Sequence, residues 1–457
     1  MSPKNIIIIG NGVAGVTAAR HIRKLSGHKI TIISAETPHF FSRTALMYIY
    51  MGHMRYVDTK PYPDDFWAKN KIDLLFARVE NVVTSENVLL LEGGQKLPYD
   101  ELILATGSMP NALRNVEGQN FSGVQGLYSF QDLEKLELSS KTAKKAVIAG
   151  GGLIGIELAE MLHSRHIPVT FLVRENSYWA NVLPLEESEI INKHIRAHGI
   201  DLQLSSEISD ILGNEKGEAK AVRTAKGDII EAQIVGLTAG VSPNIAWLKT
   251  NDIEQQRGIL VDEYLRTNVP NIYAIGDCAQ LRQPEAGRRN IEAIWYTARM
   301  MGETVAYNIC QAETPIKYSP RLWFNSAKFF DIEYQVYGHV PAASQPDENT
   351  DSLFWADKGG EKSIRIVFER ETQKVVGFNL LGVRYRHEVC EKWILSGATL
   401  EEVLPHLGLA NFDPEFSRQH EAELCKIYQQ KTGKEIKLKT KRGLSGVLRF
   451  LGLGSKK

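Results

Sequence analysis

Ile6-Ile7-Ile8-Ile9-Gly10-Asn11-Gly12-Val13-Ala14-Gly15 is the stretch that decides how this chain folds. Four consecutive isoleucines read as a short strand buried on both faces, and from Val13 the pattern becomes helical. The glycines between strand and helix each answer a different steric demand. Gly10 allows a tight turn, Gly12 lets the backbone approach a pyrophosphate, and Gly15 lets the helix close on the strand. The phosphates of a dinucleotide then face unpaired N–H groups at the positive end of the helix. The same grammar returns at Ala146-Val147-Ile148-Ala149-Gly150-Gly151-Gly152-Leu153-Ile154-Gly155. One such run alone also serves plain packing. Two, each in strand–turn–helix context, predict two bound dinucleotides.

Around these runs the chain alternates strand and helix. Ile30–Ser34, Glu101–Ala105, Val169–Val173 and the apolar start of Asn271–Asp277 read as further short strands, which predicts parallel sheets covered on both faces. After about Tyr318 the character changes. Phe329–Tyr337 and Ser363–Arg370 partly alternate apolar and polar side chains, as antiparallel strands with one buried face do, and Lys374–Leu381 is expected to pair with the latter. Pro341–Ser352 reads as a surface loop. A third, α+β domain is expected here.

Composition narrows the class. A chain of 457 residues is long for one core, so two or three domains are expected. Zero net charge gives no argument for a nucleic-acid partner. No apolar run approaches the roughly 20 residues of a spanning helix. The first strand is expected to begin by Ile6, so no leader peptide is expected. Cys278, Cys310, Cys390 and Cys425 are scattered without a C-x-x-C or a metal-ligand spacing, so no metal site is expected and a reducing cytoplasm is the expected setting. His387 and Cys390, three apart on an expected helix, read as core packing. Residues 431–457 carry nine Lys or Arg against Glu435 alone, a net of +8, which leaves −8 on the rest. Leu444, Val447, Leu448 and Leu451 follow on one helical face, a pattern suited to peripheral contact with an anionic membrane.

Taken in order, these motifs resemble the FAD- and NAD(P)-dependent pyridine nucleotide-disulfide oxidoreductase superfamily, over roughly residues 1–430. Gly10, Gly12 and Gly15 match its FAD-pyrophosphate turn, and Ala105-Thr106-Gly107, with Pro110 following, its Ala-Thr-Gly segment. Gly150, Gly152 and Gly155 match the nicotinamide-nucleotide turn, and Gly240 with Pro243-Asn244 the segment closing that domain. Gly276-Asp277 matches the second FAD motif, whose aspartate binds the ribityl chain. The resemblance implies two doubly wound α/β dinucleotide-binding domains in a glutathione-reductase-like arrangement, with a C-terminal α+β interface-type domain. It places the FAD domain at 1–112 and 250–318, the NAD(P) domain at 113–249, the interface-type domain at 319–430 and a basic tail at 431–457.

Within the superfamily, Pro38–Leu46 resembles the Pro-Tyr-x-Arg-x-x-Leu stretch of ferredoxin and rubredoxin reductases, which implies that Arg43 lies near the FAD pyrophosphate and flavin. Departures matter as well. The ribose-binding acid is replaced by Ala35, so Glu36 is expected to take its role. Met47 and Tyr48 stand where that branch has Ser and the Lys near the flavin. Glu157, which matches the acid normally paired with that Lys and close to the nicotinamide, has therefore lost its usual partner. At the end of Val169–Val173 the acid typical of NADH enzymes is absent. Arg174 suits a 2′-phosphate and Glu175 a free ribose hydroxyl, a balance that leans to NADPH.

A disulfide or peroxide reductase needs a thiolate beside the flavin. Ala35–Tyr50 contains no cysteine, and Cys278 reads as a buried hydrophobe. Direct electron transfer from reduced FAD remains. Glu292–Gly302 resembles the helix of ferredoxin-reductase-type enzymes in which a Trp, here Trp295, covers the flavin. The implied function is an NAD(P)H oxidoreductase passing electrons through FAD to a ferredoxin- or rubredoxin-like protein. The alternatives are a membrane-associated NAD(P)H:quinone reductase and an FAD/NAD(P)H-sensing protein resembling apoptosis-inducing factor. Nitrite-reductase large subunits share the N-terminal look, but their sirohaem and iron–sulfur cysteines are absent. The resemblance also allows a homodimer.

Overall fold

The isoleucine run becomes the middle strand of a five-stranded parallel sheet in a computed structural model, which describes residues 2–248, 252–416 and 418–439. The strand order is Ile272–Ala274, Glu101–Leu104, Asn5–Ile9, Lys29–Ser34, Ile72–Phe76. Ile7 stands opposite Leu102 on one side and Thr31 on the other. Ile6, Ile7 and Ile8 are fully buried, as a strand covered on both faces requires. From Asn5–Ile9 the chain winds outward through Lys29–Ser34 and Ile72–Phe76, then returns to the other side with Glu101–Leu104. The winding reverses beside Ile9, and a reversal of this kind opens a crevice at the carboxyl ends of the two central strands.

Helix Val13–Leu25 packs on helix Trp295–Cys310. The two approach so closely that a Cβ on Gly302 would stand 2.6 Å from the Ala14 carbonyl oxygen.

The chain divides into two compact units. One is drawn from Met1–Gly150, Leu158–Val169 and Ile208–Pro320, the other from Gly151–Glu157, Thr170–Glu207 and Arg321–Lys457. In the first, Ala146–Ala149 pairs in parallel with Ile234–Leu237, which pairs in parallel with Val124–Gln125. In the second, Val169–Val173 pairs in parallel with Asp201–Leu204 from Thr170 onward. The second unit also holds a five-stranded antiparallel sheet of order Phe324–Phe329, Ile332–Gly338, Val375–Leu381, Ser363–Glu369, Thr350–Ala356. Its core is shared with helices His387–Leu395 and Glu421–Thr432, and Cys390 is fully buried there. The fold is the expected α/β class, dinucleotide-binding folds followed by a C-terminal α+β part.

Three expectations need correction. Phe329–Tyr337 is not one strand: Phe330 and Asp331 form a two-residue turn, with Phe329 opposite Ile332. Phe330 takes a left-handed φ of 55° without the glycine or asparagine that would announce such a turn. Pro341–Ser352 is not loop throughout, because Thr350 begins a strand opposite Glu369. The basic segment is not detached from 431. Lys431 and Thr432 complete a helix capped by left-handed Gly433, Ile436 and Leu438 pack on the core, and Lys434 pairs with Glu401 at 2.5 Å. Leu444, Val447, Leu448 and Leu451 lie outside the described residues. Among the described residues no helix is long and apolar enough to cross a membrane.

Candidate functional site

The strand ends at Ile9 and Leu104, with the turn after Ile272–Ala274, surround a cavity of about 770 Å³. Backbone hydrogen bonds draw these ends together: Ala105 N donates to Ile9 O and Ile275 N to Leu104 O, both at 2.9 Å. Gly10 turns with φ +114°, and a Cβ there would stand 2.1 Å from Ala105 O. A Cβ on Gly15 would stand 2.1 Å from Gly10 O, so Gly15 serves closure of helix on turn. Gly12 is different. Apart from its own chain neighbours, no described residue lies within 4 Å of where its Cβ would be, and it faces the cavity. Gly12 is also the N-cap of Val13–Leu25 and offers no side-chain cap, while Val13 and Ala14 of the first turn line the same wall. Open space against a glycine and uncapped helix N–H groups fit an anionic pyrophosphate.

Opposite this turn, Arg43 reaches across to Glu36. Arg43 Nη1 and Nη2 donate to Glu36 Oε1 and Oε2 at 2.9 and 2.6 Å. Glu36 Oε1 also accepts from Phe130 N at 3.0 Å, and Arg43 donates to the Tyr128 carbonyl. The guanidinium lies 4.6 Å from the centre of the Tyr128 ring. Burial works against the Arg43 charge, but the Glu36 contacts outweigh it and hold its pKa above the ordinary value.

Asp277 sits on the short 3₁₀ turn Gly276–Cys278, where Gly276 has φ +70°. Ser108 Oγ donates to Asp277 Oδ2 at 3.0 Å. Burial pushes the Asp277 carboxyl above the usual range, opposed by the Ser108 hydrogen bond and the Arg43 charge. A buried carboxylate of this kind suits the hydroxyl donors of a ribityl chain. Thr106 and Gly107 complete the wall: Thr106 Oγ1 donates to Asn244 O at 2.8 Å, and Asn244 N to Gly107 O at 2.9 Å. Gly240 lies outside this wall and turns the chain with φ +83°, its carbonyl accepting from Asn111 N at 3.1 Å.

Trp295 is 56% exposed and lines the cavity. It is the first residue of its helix, which corrects the expected start at Glu292. Glu292 instead forms a buried pair with Arg288 at 2.6 Å.

The residues expected at the second nucleotide belong to different units. In the first, Gly150 turns with φ +122°, and its Cβ would meet Thr238 O at 2.4 Å. In the second, Gly155 N donates to Gly152 O at 3.1 Å, as does the Tyr178 hydroxyl. Tyr178 is fully buried; that burial, with the Glu157 charge beside it, raises its pKa well above the ordinary value. Arg174 is held between two carboxylates, donating to Glu175 Oε1 at 3.1 Å and lying 3.8 Å from Glu207. Sequence reasoning passed over Ser108, Tyr128 and Glu207. Ser108 follows the Ala-Thr-Gly run directly and was open to discovery; the other two carry no sequence signal.

The pyridine nucleotide-disulphide oxidoreductase family model matches residues 4–302, more than half of the chain. The rubredoxin-NAD(+) reductase of Pseudomonas putida is 29% identical over 323 residues, 70% of this chain and 83% of its own length. The nitrite reductase [NAD(P)H] of Bacillus subtilis is 29% identical over 342 residues, 73% of this chain, and the chain spans 42% of that relative's length. Among solved structures, the reductase in the covalent putidaredoxin reductase–putidaredoxin complex superposes with a TM-score of 0.78 at 19% identity, covering 94% of this chain and 99% of that one. With the glycine turns, the buried aspartate and the parallel sheets in place, the chain belongs to the pyridine nucleotide-disulphide oxidoreductase family, as an oxidoreductase that uses FAD and NAD(P)H.

Proposed function

We propose that this chain moves electrons from a nicotinamide nucleotide, through FAD, to a small electron-transfer protein of the ferredoxin or rubredoxin type. The observation that carries the reading is a half-exposed Trp295 on the wall of a cavity to which no described cysteine contributes. The four cysteines are buried and unpaired, and burial raises the Cys278 thiol, which leaves no thiolate relay beside the cavity. The related rubredoxin reductase and the putidaredoxin-bound structure agree with a protein acceptor.

When bound, FAD supplies the chemistry of accepting a hydride and releasing electrons one at a time. The protein supplies position. The N–H groups at Gly12, Val13 and Ala14 would hold the pyrophosphate, with Arg43 beside it. Asp277 would hold the ribityl hydroxyls and Glu36 the adenosine ribose. The turn at Gly152 and Gly155 would seat the second nucleotide, with Glu157 of the same unit directed to the nicotinamide. The sequence balance at Arg174 and Glu175 leaned to NADPH. Glu207 adds a second carboxylate at Arg174, and a guanidinium already paired twice has less to offer a 2′-phosphate. NADH is the donor proposed.

Trp295→Ala tests the exit. Anaerobic reduction of the flavin by NADH should stay near the wild-type rate, while reoxidation by the protein acceptor slows by about tenfold, roughly 1.4 kcal/mol of barrier. Wild-type rates in both half-reactions would make Trp295 structural. Turnover with quinone but with neither protein acceptor would favour a quinone reductase, and no sustained turnover a sensor. The net charge of +8 over 431–457 supports peripheral contact with anionic lipid, which vesicle sedimentation at low salt tests against a chain lacking that segment.

A further inference from the structure

His194 lies on the helix Leu185–Ala197 and His198 is its C-terminal cap, so the two rings stand one turn apart on one face. Asp331, from the turn between Phe324–Phe329 and Ile332–Gly338, meets them. Its Oδ1 lies 2.6 Å from His194 Nε2 and 3.7 Å from His198 Nε2. One ligating atom from each of the three residues lies within 4.8 Å of the others. His198 Nδ1 lies 3.0 Å from the His194 carbonyl oxygen. A carbonyl only accepts, so Nδ1 carries a proton, and in the neutral ring Nε2, on the Asp331 side, is then the nitrogen with the lone pair. Metal-bound imidazoles are oriented in this way, with the outer nitrogen donating to a carbonyl or carboxylate. Phe330 stacks on the His198 ring at 4.2 Å and 17°, fixing its plane. The turn that presents Asp331 places Phe330 at φ 55°, a conformation a phenylalanine rarely adopts.

We propose that His194, His198 and Asp331 bind a divalent transition-metal ion of the zinc class, at a site separate from the cofactor cavity. Two imidazoles and one carboxylate, without a thiolate, suit zinc, with a water completing the fourth position. Tetrahedral ligands at about 2.1 Å from a metal stand roughly 3.4 Å apart. The His198–Asp331 distance is close to that value, while the His194–Asp331 hydrogen bond must open and His194 must present an unprotonated Nε2. Asp331 is 77% exposed on a surface turn, so the movement falls on the side chain with most room. A bound ion would clamp this turn to the helix, and binding the folded state alone stabilises it by mass action.

Untagged, full-length, FAD-loaded protein equilibrated with Zn²⁺ near neutral pH tests the proposal by metal analysis and thermal melting. The wild type should hold one Zn²⁺ per chain, with a Tm that rises with Zn²⁺ concentration. Asp331→Asn preserves shape and a hydrogen-bonding oxygen, and His198→Phe preserves a ring over Phe330. Each should weaken binding by about tenfold or more and abolish the Zn²⁺-dependent rise in Tm. A wild-type far-UV circular dichroism spectrum and a cooperative melt without Zn²⁺ show that the variants are folded, and the exposed Asp331 position secures a testable variant if His198→Phe does not fold. Absence of bound Zn²⁺ in the wild type overturns the proposal, as does equal binding by both variants. So does a Tm loss in the variants that is the same with and without Zn²⁺, the behaviour of a plain His194–Asp331 hydrogen bond.

Discussion

Arg43 grips Glu36 through two parallel hydrogen bonds of 2.9 and 2.6 Å on the wall of the cofactor cavity. The residue expected at the pyrophosphate therefore also orients the residue expected at the ribose. Both bonds use the planar fork of a guanidinium, which an ammonium cannot reproduce. Arg43→Lys is thus expected to weaken FAD binding by about tenfold or more, and Arg43→Ala further, because the partly buried Glu36 then loses its cation. Fluorescence titration of FAD into the apoprotein checks this; a lysine variant binding as tightly as wild type would show that the fork is dispensable.

Asp277 links cofactor binding to pH. Burial raises its carboxyl in the FAD-free fold, so the folded state holds that proton more tightly than the unfolded chain does. Its contribution to stability is complete below the ordinary aspartate value of about 3.9 and is lost as pH rises through the raised folded value. Asp277→Asn cannot ionise and escapes this loss. The FAD-free variant should melt above FAD-free wild type near pH 7, with the gap shrinking as pH falls toward about 4, while its affinity for FAD drops. Melting curves over that range decide it, and a variant less stable than wild type at pH 7 would reverse the sign.

Glu207 is expected to set nucleotide preference. Glu207→Gln removes one of the two carboxylates at Arg174 and should raise kcat/KM for NADPH relative to NADH by roughly fivefold, about 1 kcal/mol for an exposed charge pair. Steady-state assays with both nucleotides measure the ratio, and an unchanged ratio would remove Arg174 from the 2′-phosphate position.

A buried ion pair anchors the second unit. Arg365 donates to both oxygens of the fully buried Glu187 at 2.8 and 2.9 Å, and Asn379 Nδ2 donates to the same carboxylate at 3.2 Å. Glu187→Ala leaves a buried guanidinium with much of its compensation gone and should destabilise this unit by about 3–5 kcal/mol. A lowered urea midpoint with FAD still bound is the expected result. Glu187→Gln, which retains the packing and one acceptor, should lie between the two.

Much of the fold was legible because its decisive demands are local. A strand buried on both faces must be apolar over its buried length, and Ile6–Ile9, Leu102–Leu104 and Ala146–Ala149 are. The Phe330–Asp331 turn escaped reading for the converse reason: its conformation is imposed by the pairing of the flanking strands and by the stack on His198, and no glycine marks it.

The sequence by itself determined that two glycine-rich turns each join a strand to a helix, since the space a Cβ would occupy at Gly10 or Gly150 is already taken by neighbouring backbone. Only the tertiary structure decided which side chains face one another. Ser108 meets Asp277 across 169 residues and His194 meets Asp331 across 137. Nothing local specifies such pairs. They follow from where a parallel sheet reverses its winding and where a hairpin meets a helix, and a hydrogen bond depends on distance in space and not along the chain.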